Sequence, residues 1–175
     1  MPTAQELIAD VSRARQKMLA LVTNLTPSQA AFKPSPVEWS VLENIEHVTL
    51  AEITGIAKIW QAAEGLRDGT PVFIGEHTNR GLTIEEIVAR TWKPKEIAPP
   101  IATPHIGGPL AYWVAYSNSC QLVLEQLIPA LDGLDLAEVI FPHFLCGPLD
   151  AAQRLEFLRF HIERHCGQIE RLLLA

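Results

Sequence analysis

Apolar residues return every three or four positions along several long stretches of the chain, with polar residues between them. The first stretch puts Leu7, Val11, Met18, Leu21 and Val22 on one side of a helix over about 3–24. The last puts Leu155, Leu158, Ile162, Ile169 and Leu172 on one side of a helix over about 150–174. Segments at about 40–64 and 109–131 also read as helices. Start signals mark the pattern. Thr3 with Glu6, Ser40 with Glu43 and Thr83 with Glu86 each set a hydroxyl at a helix N-cap and a glutamate three residues on. Such a pair satisfies two orphan backbone N–H groups reciprocally. Asp150 with Gln153 is a looser version, and Thr26-Pro27-Ser28-Gln29 reads as one short turn.

Between the second and third long helices, about 65 to 108, the periodicity fails. Glycines (Gly65, Gly69, Gly75, Gly81, Gly107, Gly108) and prolines (Pro71, Pro94, Pro99, Pro100, Pro104) interrupt it. Only Thr83 to Trp92 looks helical there, and Pro71 to Ile74 is the one short strand candidate. A connection this long is seldom a bare linker in a small domain, so it is expected to cross the helices and cover one end. The prediction is an all-α single domain, a four-helix bundle with a long irregular crossover between helices two and three.

Composition narrows the class. A chain of 175 residues suits one domain, and 48% hydrophobic residues exclude an intrinsically disordered chain. The net charge of -6, without a Lys/Arg cluster, argues against a nucleic-acid partner. No apolar run approaches the ~18 residues of a membrane span, so no membrane partner is expected. The N-terminal segment alternates acids and bases on a helical period, unlike a secretory signal. Cys120, Cys146 and Cys166 are odd in number and lack CxxC spacing, which speaks against a disulfide framework or a thiolate zinc site. A cytoplasmic location is the expectation.

The histidines carry the candidate chemistry. His161 and His165 are four apart on the last helix, so both rings share a face. Leu158, Ile162, Ile169 and Leu172 bracket them, which turns that face inward. Each neutral imidazole needs a donor and an acceptor, and two stacked inward rings are hard to satisfy by ordinary hydrogen bonds. A metal ion accepting a lone pair from each is one solution, and a polar core cluster is the other. The zincin pattern is absent: Glu163 is the third residue of His161-Ile-Glu-Arg-His165 and points off the shared face, and Arg164 breaks the reversed motif. His47, inside the second long helix beside Leu50, Ala51 and Thr54, is the favoured third ligand. His77, His105 and His143 lie in Gly/Pro-rich segments and are weaker candidates. Glu43, one turn before His47, could orient that ring or take a proton, although its capping role is the stronger explanation. Arg164 and Gln168 flank the histidine pair, and Trp113 and Tyr116 could line a pocket or pack in the core. Trp39 is expected to pack at a helix start, Cys166 to be a small buried group, and Cys146 to sit in a loop.

Two motifs resemble a known family. The segment from Pro36 through Trp39, Ser40 and His47 to Glu52 resembles the second-helix signature of the DinB-like (YfiT-like) superfamily. Phe141 to Leu149, followed by His161, Arg164, His165, Gln168 and Ile169, is similar to its last-helix signature. The short turn at Thr26 falls where these proteins carry one. The resemblance implies an up-down-down-up four-helix bundle, often a homodimer, with zinc or nickel held by three histidines. By position these are His47, His161 and His165. Some members of the superfamily transfer or isomerise substrates with low-molecular-weight thiols, and others have no assigned reaction.

Three neutral imidazoles would leave a bound ion its full charge and a fourth position open to water or a thiol. The expectation is therefore a metal-dependent enzyme acting on a small molecule, with a thiol S-transferase as its leading form. The alternative is a non-catalytic metal-binding or dimeric binding module.

Overall fold

In the computed structural model, which describes residues 2–93 and 97–175, each of the helix-start pairs closes as a capping box. The helices in chain order are α1 (Ala4–Val22), α2 (Pro27–Ala31), α3 (Val41–Arg67), α4 (Ile84–Thr91), α5 (Leu110–Glu125), α6 (Leu127–Leu131) and α7 (Ala151–Leu173). The chain is mostly helical. Helix α1 packs on α7 and α5, and α3 packs on α5 and α7. The apolar stripes meet in one core that includes Val11, Met18, Ile45, Trp113, Leu155 and Ile162. Leu21 and Leu172 pack at its edge, less buried than their places in the stripe suggest.

A buried polar contact ties three helices together inside this core. Arg15 of α1 pairs with Glu52 of α3 and bonds Gln121 of α5. Neither charged side chain is more than 2% exposed. Burial raises the Glu52 carboxyl above its usual range, opposed by the charge of Arg15 and their hydrogen bond.

Three details depart from the sequence reading. The segment 109–131 is two helices, because Pro129 has no N–H for a helical bond and its ring crowds the carbonyl four residues back. Residues 71–74 form no strand, and Val72 and Ile74 are exposed with no strand beside them. A hairpin forms instead just before α7, where β1 (Ile140–His143) pairs antiparallel with β2 (Gly147–Asp150), Ile140 opposite Asp150. Gly147 has φ of +75°, a conformation that disfavours a residue with a Cβ. Helix α4 covers this hairpin through a second apolar cluster of Ile84, Ile87, Cys146, Leu149 and Phe157.

The long crossover is fastened at its far end. A 3₁₀ turn, Pro100–Ala102, packs on α3. Beyond it, backbone N–H groups of His105, Ile106 and Gly107 donate to the buried Glu46 carboxylate at 2.6, 2.7 and 3.0 Å. The Trp113 indole N–H then donates to the Gly107 carbonyl at 2.7 Å. Pro94 of this segment lies outside the described residues. Among the described residues no helix is long and apolar enough to cross a membrane.

Candidate metal centre

Helix α3 brings His47 into the interior from one side, and α7 brings His161 and His165 from the other. Ring centroids are 5.0 Å apart for His47 and His161, and 4.7 Å for each of the other two pairs. One candidate ligand atom from each ring falls within 4.8 Å of the other two. The Nε2 atoms of His47 and His161 are 3.1 Å apart. The edge of a tetrahedron with metal–nitrogen bonds of 2.0–2.1 Å is about 3.3 Å, so this separation suits two ligands of one ion.

Outer partners set the tautomers. His47 Nδ1 lies 2.7 Å from the Ala102 carbonyl, which can only accept, so Nδ1 carries the proton and Nε2 the lone pair. His165 Nδ1 is 2.8 Å from Asn44 Oδ1. The Asn44 amide is oriented in turn, because its Nδ2 donates to the Ser40 carbonyl at 2.9 Å. His165 Nδ1 therefore also donates outward, which leaves its Nε2 unprotonated. Outward-donating partners of this kind are what metal-binding histidines use to fix ring orientation.

Electrostatics keep the rings neutral. Burial lowers the affinity of His47 for a proton, with the Ala102 hydrogen bond opposing it. His161 is held well below its usual value by burial, then by His165, His47, His143 and Arg164. His165 falls to about 3, again through burial first, then His47 and Arg164, with Gln168 opposing. Neutral imidazoles are the form that coordinates a metal.

The cluster lies in the wall of a cavity of about 1120 Å³. Trp39 is another part of that wall, its ring centroid 4.7 Å from His47 and 6.3 Å from His165. Phe157 stacks near His161 at 5.9 Å, and the Arg164 guanidinium lies over Trp92 at 5.2 Å. Gln168 also lines the cavity.

Other candidates take different roles. Glu43 accepts from the Ser40 backbone N–H at 2.7 Å and from Lys33 at 2.9 Å, the capping arrangement. Trp113 is fully buried in the core, and Tyr116 is partly exposed on α5. His77 bonds Gln153, and His105 Nδ1 donates to the Thr103 carbonyl, both apart from the cluster. The three cysteines are buried, and none lines the cavity. Burial pushes Cys120 up to about 12 and Cys166 up to about 11.

Sequence reasoning missed two contributors, Asn44 and Arg154, and held a third, His143, only as a weak ligand candidate. Asn44 is three residues before His47, hence on nearly the same face of α3, and that spacing was a readable signal. Arg154 lines the cavity seven residues before His161 on the inward stripe. His143 enters the wall only because the hairpin folds back, and nothing local in sequence announces that.

This assembly of a helical scaffold and an inward histidine triad agrees with the family comparison. The model of the DinB superfamily matches residues 10–169, and the chain belongs to that superfamily. No curated protein matches the chain.

Proposed function

We propose that His47, His161 and His165 hold a divalent metal ion, zinc or nickel, and that the chain is a metal-dependent enzyme with thiol S-transferase chemistry. The observation that carries the reading is the pair of outward-donating hydrogen bonds, His47 to Ala102 and His165 to Asn44. They leave the Nε2 atoms of His47 and His165 unprotonated, the form in which an imidazole coordinates a metal, within a cluster whose candidate ligand atoms lie within 4.8 Å of one another. An ion bound there supplies a Lewis acid that favours the thiolate form of a thiol brought to its open position.

The chain's own residues do the rest. Ala102 and Asn44 fix the rings, and Trp39 and Phe157 shield them from bulk water. With the cysteines buried away from the cavity, the reacting thiol comes from a small-molecule cosubstrate. A cavity of about 1120 Å³ exceeds the ~300–1,000 Å³ of ordinary ligand pockets and has room for a thiol and an electrophile together. The four long helices are read as the superfamily's up-down-down-up bundle. The chain is also proposed to pair with a second copy through the face of α5 that carries Tyr112, Tyr116 and Val123, all partly exposed.

The test is a panel of low-molecular-weight thiols with monochlorobimane as electrophile, comparing wild type with His165→Ala. One thiol should react in wild type only, and should shift the visible spectrum of the cobalt-substituted protein. Equal rates in both proteins, with no thiol shifting that spectrum, leave a binding module in place of a transferase.

A further inference from the structure

Arg154 sits where an arginine has least reason to be. It lies in the first turn of α7, where the helix dipole disfavours a cation. It is 7% exposed, yet no salt bridge or hydrogen bond engages it among the described residues, and its Nε is buried without a partner. Burial lowers its pKa to about 10. An unpaired buried charge destabilises a fold, and such groups persist at sites where a ligand completes them.

Its surroundings point to that ligand. The guanidinium lies 6.0 Å from the Phe141 ring centroid, and the Lys58 ammonium lies 4.3 Å from the same centroid. Lys58 likewise has no ion-pair partner among the described residues. His143 comes from the hairpin on the same wall. Its Nδ1 accepts from the backbone N–H groups of Leu145 and Cys146 at 3.3 and 3.2 Å, so Nε2 carries a proton. Among the described residues, Lys58, Arg154 and Arg171 line the cavity with one carboxylate, Glu38, although the chain as a whole carries a net charge of -6. The local sign is opposite to that of the molecule, which concentrates anions at this spot. The Phe157 centroid is 4.5 Å from that of His143 and 5.9 Å from that of His161, so one aromatic ring links the His143 side of the wall to the histidine triad.

We propose that the cavity takes a small organic carboxylate, its charge held by Arg154 with Lys58 and the His143 Nε2–H, and its reactive end directed toward His47, His161 and His165. One planar guanidinium fork in a largely apolar wall matches the two oxygens of a carboxylate. The assignment of the reactive end rests on the metal-centre reading, whereas the anion subsite stands on Arg154 alone.

Benzoate is the probe, followed by tryptophan fluorescence because Trp39 and Trp92 line the cavity, and by calorimetry. Zinc-loaded wild type should bind benzoate saturably and bind uncharged benzamide at least about tenfold more weakly, the scale of a lost charge-assisted pair. Arg154→Met should lose a similar factor for benzoate while melting no lower than wild type, since it removes a buried unpaired charge. Lys58→Met should weaken benzoate less. His161→Ala should still bind benzoate, which separates failure of the metal reading from failure of this one. Unchanged benzoate affinity in Arg154→Met, equal binding of benzamide, or a lowered melting temperature in that variant would overturn the proposal. Loss of benzoate binding in His161→Ala, or inorganic phosphate competing with equal affinity, would overturn it as well.

Discussion

Replacing Glu46 by Gln tests whether the crossover holds the metal centre in shape. The Glu46 carboxylate is 1% exposed and accepts three backbone hydrogen bonds, from His105 and Ile106 at one oxygen and Gly107 at the other. The amide keeps one acceptor oxygen, so its NH2 group must face a backbone N–H and both are left unsatisfied. Two further bonds lose their charge assistance. A charge-assisted bond contributes about 1.5–3 kcal/mol and a neutral one about 1, so Glu46→Gln should cost about 3 kcal/mol. In a chain of this length that lowers the melting temperature by roughly 6–12 °C. The consequence reaches the site because Ala102, whose carbonyl receives the His47 proton at 2.7 Å, lies in the segment that Glu46 fastens. Zinc affinity should therefore fall about tenfold, as for loss of an outer partner of a metal-binding histidine. Calorimetric melting of metal-free protein and zinc titration against a chelating indicator measure the two effects separately. A melting temperature within about 1 °C of wild type, with unchanged zinc affinity, would refute this reasoning.

Other expectations follow from single contacts. Asn44→Leu removes the acceptor for His165 Nδ1, and zinc affinity should drop about 10–100-fold with helical circular dichroism retained. His143 has its folded pKa lowered to about 3 by burial, then by the charge of Arg154, so the unfolded chain binds more protons between pH 3 and the ordinary histidine value of 6.5. Its contribution is thus complete above pH 6.5 and lost on acidification. Urea unfolding at pH 7 and pH 5 should differ by up to about 2 kcal/mol more in wild type than in His143→Phe. Arg15→Met strands Glu52 in the core and should cost about 3–5 kcal/mol, whereas Arg15→Met with Glu52→Leu should be near neutral. A double variant no more stable than Arg15→Met would show that the ion pair is not the source of the loss.

Which parts were legible in the sequence follows from how local their causes are. Capping boxes join residues three apart, and each one read from Thr3, Ser40, Thr83 and Asp150 is present, while the short turn read at Thr26 is a one-turn helix with a capping box of its own. The inward face of α7 was legible for the same reason, since His161 and His165 share their stripe with Leu158 and Ile162. The hairpin was not legible, because Pro142 and Pro148 sit within its strands and its short segments lack alternation. Pro129, by contrast, was a readable break that the apolar run around it concealed. The supports of the site come from remote contacts: Glu46 meets residues about sixty positions away, and Asn44 meets His165. The spacing of Asn44 from His47 shows that the two share a face of α3, but neither Asn44 nor Glu46 shows in sequence which remote residue it meets. Arg154 was visible on the stripe, but a sequence does not show whether an arginine is paired.

The most direct test of the central claim is a metal-edge anomalous difference map from protein crystallised without chelator. The account predicts one strong peak about 2.0–2.1 Å from an imidazole nitrogen of each of His47, His161 and His165, absent in His161→Ala crystals. A metal-replete crystal with no peak among the three rings, or a peak bound without His47, would contradict it.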